Sequence, residues 1–230
     1  MDIKCIASGS SGNCYLIKTG TTKIIIECGI SIKKIRQAID DNIAEVDACL
    51  ISHSHLDHCK GVYEMIKLGI KIFTTKPTAE KLKIINYYNY IEIKPLKQFN
   101  INEIVIKPFD TEHDCEGSVG FLILDKKNNK KLVFATDTYY IKYKFNNVNY
   151  YMLECNYDED IIKSKKIDDK LKMRIYKSHF SHKNLIEYLN KQNLKNCERI
   201  YLLHLSKDNA DEKYFVKNLQ KKYGIPIYYA

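Results

Sequence analysis

The segment His53-Ser54-His55-Leu56-Asp57-His58 constrains this chain more than any other feature, because it sets four metal-ligating side chains within six positions. It follows Ala48-Cys49-Leu50-Ile51, a wholly apolar run that reads as a buried strand ending at Ser52. Four such groups crowded together without a cation would repel one another when protonated and would lose hydration for no return. Strand alternation and loop curvature let His53 and His55 point one way and Asp57 and His58 another, so one loop can serve two ions.

That loop cannot complete two sites alone, since a zinc-like ion takes about three or four ligands. Three further residues have the right context: His113 in Thr111-Glu112-His113-Asp114, Asp137 after Phe134-Ala135-Thr136, and His204 after Leu202-Leu203. Asp137 and His204 each end an apolar strand, the usual place for site residues in open sheets. Taken singly, each also fits an ordinary cap or turn.

Along the chain, short strands alternate with amphipathic helices, as a sheet covered by helices requires. Strands are expected at Ile3–Ala7, Tyr15–Lys18, Lys23–Glu27, Ala48–Ile51, Ile70–Thr74, Glu103–Lys107, Val119–Leu124, Lys131–Thr136, Tyr150–Glu154 and Arg199–Leu203. Helices are expected at Ser31–Ile39, Val62–Leu68, Ala79–Tyr87, Asp158–Lys170, Lys183–Lys191 and Glu212–Lys221. The two half-chains are similar in make-up, and each ends strands in metal-type residues. This predicts two sheets facing each other between helices.

At 230 residues with 45% hydrophobic content and no Pro/Gly/Ser-rich linker, residues 1–230 read as one domain. The start has no basic segment followed by a long apolar one, and no stretch reaches the roughly 20 apolar residues that cross a bilayer, so a cytoplasmic protein without membrane contact is expected. Eight cysteines fall singly with no Cys-x-x-Cys pair, which suits buried free thiols in a reducing compartment. The formal charge of +9 suits an anionic partner, although lysine is also the ordinary way to solvate a surface.

Taken together, these residues resemble the metallo-β-lactamase superfamily, and within it the YycJ/WalJ-like branch of small hydrolases. The superfamily pattern is an acidic residue ending an early strand, then His-x-His-x-Asp-His, then His, Asp and His. The branch resemblance rests on Ser8-Gly9-Ser10-Ser11-Gly12-Asn13, Ile24-Ile25-Ile26-Glu27-Cys28-Gly29, Glu154-Cys155-Asn156-Tyr157-Asp158 and His204-Leu205-Ser206 with Asn209. It implies an α/β (α+β) fold, a four-layer αββα sandwich. It also implies that His53, His55 and His113 hold one divalent ion, Asp57, His58 and His204 a second, and that Asp137 bridges them. Glu27 stands where the family usually has Asp and would brace the histidine loop. His182 stands where the branch usually has Asn.

Two ions bridged by a carboxylate make a shared water acidic enough to attack an electrophile, which points to a hydrolase with Asp57 at its catalytic centre. His179 precedes the cap of the Lys183–Lys191 helix, whose amino end favours anions. It is a candidate to contact phosphate or protonate a leaving group, and equally to pack behind the site. Ser10, Ser11 and Asn13 can cradle a phosphate or simply form a hairpin turn, and His182 is a further candidate on the substrate side. Histidine and carboxylate ligands suit Zn or Mn, and Fe as well.

The branch resemblance implies a nuclease acting on DNA ends, in the manner of a 5′ exonuclease, with DNA favoured over RNA. Tyr87, Tyr88 and Tyr90, or Tyr139, Tyr140 and Tyr143, would stack bases if exposed, although most tyrosines in a chain without Trp serve the core or its rim. Between Asp137 and His204 there is no room for the large inserted domain of the RNA-cleaving relatives. Competing readings are a phosphodiesterase for small cyclic nucleotides, an ester hydrolase and an inactive nucleic-acid-binding protein. A homo-oligomer is compatible with all of them.

Overall fold

The computed structural model describes residues 1–230, and the chain packs as two compact units that interleave in sequence. The first comprises Met1–Asp110, Cys115–Val119 and Ile123–Asn129; the second comprises Thr111–Asp114, Gly120–Leu122 and Lys130–Ala230. The strands make two sheets, one of six and one of seven.

In the first unit, β1 (Asp2–Ala7), β2 (Cys14–Thr19), β3 (Thr22–Ile26), β4 (Ala48–Leu50), β5 (Lys71–Thr75) and β6 (Tyr90–Ile93) lie side by side in chain order. The pairs β1–β2 and β2–β3 are antiparallel hairpins, whereas β3, β4, β5 and β6 run parallel. Parallel strands are covered on both faces and need unbroken apolar sequence. Ile24, Ile25 and Ile26 of β3 and all three residues of β4 are buried accordingly. Helices α1 (Ile32–Ala38), α2 (Leu56–Cys59), α3 (Val62–Lys67) and α4 (Lys76–Lys81) follow, and Ile35, Met65, Ile66 and Ala79 join one core with Ile25, Cys49 and Ile72. The hairpin of β7 (Phe99–Ile101) and β8 (Ile104–Asp110) belongs to the second sheet. The register places Ile26 beside Leu50, so Glu27 and the loop from Ile51 leave the same sheet edge.

After β9 (Val119–Asp125), the second unit is dominated by β10 (Lys130–Ala135), β11 (Tyr150–Glu154), β12 (Arg199–Leu203) and β13 (Ile227–Tyr229), all parallel. All five residues of β11 are buried, and its Leu153 pairs with Ala135 on one side and Leu202 on the other. The segments leaving β10, β11 and β12 therefore start at one carboxyl edge, where open sheets place their ligands. Helices α5 (Glu159–Ser164), α6 (Asp169–Ser178), α7 (His182–Asn190) and α8 (Glu212–Tyr223) complete the unit. No helix is long and apolar enough to cross a membrane.

Two helices depart from the sequence expectation. The one expected at Ala79–Tyr87 instead occupies Lys76–Lys81, because Pro77 suits the first turn and Lys83 adopts φ of 55°, which ends it. The expected Asp158–Lys170 helix is two, α5 and α6. Lys165 is extended after α5, and the Asp168 carboxylate accepts a hydrogen bond from the Lys170 amide at 2.7 Å, capping a new helix. The short strands β6, β7 and β13 lacked a signal long enough to read.

Candidate metal centre

In the first unit the loop after β4 carries His53, His55, Asp57 and His58, with α2 starting inside it. His53 Nε2 faces His55 Nδ1 at 3.1 Å, and His58 Nε2 faces Asp57 Oδ2 at 3.3 Å. Two ligands held 2.0–2.1 Å from one tetrahedral ion stand about 3.3 Å apart, so each pair is spaced as two ligands of one cation would be. Ser52 Oγ lies 2.8 Å from His53 Nδ1 and orients that ring.

The scaffold behind this loop is backbone packed on backbone. The amide of Asn13 donates to the Asp57 carbonyl at 2.7 Å, that of Cys28 to His58 at 2.8 Å, and that of Gly61 to Cys28 at 2.7 Å. Gly29 admits this approach, since a Cβ there would lie 1.6 Å from the Asp57 carbonyl oxygen. Asn13 is wholly buried. Its Nδ2 lies 3.2 Å from both the Asp57 carbonyl and His58 Nε2, and its Oδ1 accepts from the Gly9 amide and the Tyr15 hydroxyl. Glu27, also fully buried, accepts from the Ser52 amide and places Oε2 3.7 Å from His58 Nδ1. Burial pushes the Glu27 carboxyl above the ordinary range against the pull of His58.

In the second unit Asp137 follows β10, Glu154 ends β11 and His204 follows β12. The Asp137 carboxylate is divided between two histidines. Its Oδ2 lies 3.7 Å from His113 Nε2 and its Oδ1 lies 3.5 Å from His204 Nδ1, while Thr136 Oγ1 donates to Oδ1 at 2.9 Å. His113 Nδ1 is 3.0 Å from the Ser178 carbonyl, which fixes that nitrogen as the donor and leaves Nε2 with its lone pair. Asn156 holds His204 through Nδ2, 3.1 Å from the ring Nδ1 and 2.7 Å from the backbone carbonyl. Glu27, Asp137 and His204 take φ of 62°, 48° and 52°, left-handed backbone that non-glycine residues rarely adopt and that clusters at functional sites.

Glu154 is the residue that sequence reasoning missed in this role. It is fully buried, and its Oε1 lies 2.6 Å from His179 Nδ1 and 3.4 Å from His204 Nδ1, while its Oε2 accepts from the amides of Thr138 and Phe180 at 2.9 and 3.1 Å. Burial works against charge on both partners. The pair overcomes it, holding the Glu154 carboxyl below its usual range through His179 and raising His179 through Glu154. Ligand atoms of Asp137, Glu154, His179 and His204 lie within 4.8 Å of one another. An acid closing a buried strand, the position Asp137 and Glu27 also follow, was the available signal.

Imidazole and buried carboxylate in pairs at ligand spacing fit divalent cations. A family model described as the beta-lactamase superfamily domain matches residues 22–205.

The chain belongs to the beta-lactamase superfamily. It is 29% identical over 220 residues to exodeoxyribonuclease WalJ of Streptococcus pneumoniae, spanning 89% of this chain and 81% of that one. It is 26% identical over 220 residues to exodeoxyribonuclease YycJ of Bacillus anthracis, spanning 89% and 82%. The metallo-beta-lactamase fold protein YhfI of Bacillus subtilis shares the fold, with a TM-score of 0.75, 16% identity and coverage of 99% and 95%. Two mixed sheets flanked by helices are the α/β architecture of the superfamily, and the protein is a metal-dependent hydrolase.

Among the remaining candidates, Ser10 and Ser11 are exposed on the turn closed by the Gly12 amide and the Gly9 carbonyl. His182 packs among aromatic rings of its own unit. It is buried at the first position of α7, stacked 4.4 Å from the Phe215 ring at 5° and edge-on to Tyr214.

Proposed function

We propose that this hydrolase is a two-metal phosphodiesterase that cuts DNA, with residues 1–230 working as one catalytic domain. The observation that carries the reading is the division of the Asp137 carboxylate, one oxygen toward His113 and the other toward His204. A carboxylate set between two histidine clusters in this way could serve a cation on each side. His53, His55 and His113 would hold one ion, Asp57, His58 and His204 the other, and Asp137 both. Zn and Mn suit these donors, and Fe is the next choice. When bound, such ions supply Lewis acidity and make water a competent nucleophile near neutral pH.

The chain's own residues supply the rest. Glu27 and Asn13 fix the orientation of the loop that carries Asp57 and His58. Glu154 favours the protonated form of His179 and aims its ring, so that the far ring nitrogen can give a proton to the departing oxygen. DNA as the substrate is supported by the relatives named exodeoxyribonuclease and by the net charge of +9. Cleavage from a 5′ end, with DNA preferred to RNA, belongs to the same reading. A reducing, cytoplasmic setting is supported by eight cysteines that are all free.

The test is purified protein supplied with Mn or Zn and given end-labelled single- and double-stranded DNA, RNA and cyclic nucleotides, with Asp57→Ala as control. Nucleotide release from DNA that disappears in the variant is expected. Turnover of cyclic nucleotides alone would overturn the choice of substrate.

A further inference from the structure

The second unit contains a cavity of about 150 Å³ that the catalytic groups do not use. Its lining includes Ile141 and Phe180, both buried. Tyr139 and Tyr140, 38% and 48% exposed, also line it, as does Tyr188, whose ring lies 6.0 Å from that of Phe180. Asn184, Glu187 and Lys191, the last just beyond the end of α7, add an amide, a carboxylate and a cation to the lining.

The cavity is tied to the catalytic groups through a single carboxylate oxygen. Glu154 Oε2 accepts the amide of Thr138, which leads into Tyr139 and Tyr140, and also the amide of Phe180, which follows His179. Thr138 Oγ1 then holds the Tyr140 carbonyl at 2.8 Å. Tyr139 stands two residues beyond Asp137, a Cα separation of at most about 7 Å. A phosphodiester at Asp137 and His179 thus has an aromatic recess within one nucleotide's reach.

We infer that this recess receives the nucleobase of the nucleotide beside the scissile phosphate, stacked on Tyr139, Tyr140 and Phe180 with its polar edge toward Asn184. The size suits one planar ring system, being below the several hundred Å³ typical of drug-sized sites. Stacking tolerates any base, and the donor and acceptor of one amide in the lining bias rather than dictate its identity. This inference rests on the DNA reading above.

Two measurements test it separately from that reading. In the first, kcat/KM is compared on an oligonucleotide with an intact nucleotide at the cleaved position and on one with an abasic sugar there. Wild type should favour the intact substrate about tenfold, and Tyr140→Ala and Asn184→Ala should each bring the ratio toward one. In the second, the fluorescent nucleotide 2-aminopurine deoxyriboside 5′-monophosphate is titrated into metal-free protein. Its emission is easily isolated because the chain has no Trp. Quenching in wild type that is lost in Tyr140→Ala supports the recess. Equal cleavage of both oligonucleotides with no quenching overturns it while leaving the nuclease standing, whereas quenching without any DNA cleavage removes the nuclease and keeps the recess.

Discussion

The α-carbon of Gly29 lies so close to the backbone of Asp57 that a Cβ built on it would stand 1.6 Å from the Asp57 carbonyl oxygen. The obstacle is backbone, which cannot swing aside as a side chain can. Gly29→Ala must therefore displace either the strand exit or the ligand loop. Bound metal per chain should fall below half, and stability should drop by about 2–4 kcal/mol, in the range of severe overpacking. Elemental analysis and urea unfolding check this, and an alanine variant with native metal content would refute it.

Asp137 and His179 separate ligation from proton delivery. Asp137→Ala should lose metal along with activity, because it takes a donor from each ion. His179→Ala should retain its metal and lose about a hundredfold in kcat, the usual worth of one acid or base group. Equal metal content in wild type and Asp137→Ala would contradict the bridging assignment.

Glu154→Gln is nearly isosteric yet chemically different. One Glu154 oxygen faces the His179 ring and the other two backbone amides, so both positions call for an acceptor and glutamine offers one. The variant should lower kcat about tenfold to a hundredfold with little change in KM, and should move the alkaline limb of the pH profile to lower pH, because the proton donor His179 loses the carboxylate that raises its pKa. A change confined to KM would argue against this role.

His182 gives stability a pH dependence of predictable sign. Burial against Phe215 lowers its pKa, the opposing pull of Asp158 being the smaller effect, and its place at the start of α7 adds a helix dipole unfavourable to positive charge. The unfolded chain binds the proton at the ordinary histidine value of about 6.5 while the folded chain resists it. Its contribution is thus complete above that value and is lost as pH falls from there toward the lowered folded value. The urea midpoint of wild type should decline between pH 7 and pH 5, and His182→Asn should flatten the decline. Identical slopes would remove His182 from the account.

Much of the site was legible because its chemistry is concentrated. Four ligands in six residues have no ordinary structural use, and Asp137 and His204 each close an apolar run whose burial the pattern already implied. Glu154 escaped this role because it also closes such a run without a second polar neighbour to mark it, and only the parallel pairing of β10, β11 and β12 shows that the three exits share an edge. The Ser-Gly-Asn opening was read as a phosphate cradle or a turn. It forms a turn closed by the Gly12 amide on the Gly9 carbonyl, and the Asn13 amide also reaches Asp57 and His58, a contact 44 and 45 residues away in sequence that no local pattern encodes. The break between α5 and α6 depended on one capping carboxylate, Asp168, among several acids in that stretch.

The order in which the clamp and the donors occur along the chain has a consequence for synthesis. Gly12, Asn13, Cys28 and Gly29 leave the ribosome before the histidine loop they grip, so that loop emerges onto a finished seat. His204, by contrast, is made long after that loop. If His204 holds a metal as proposed, a chain cut short before β12 should have the histidine loop without a working hydrolytic centre.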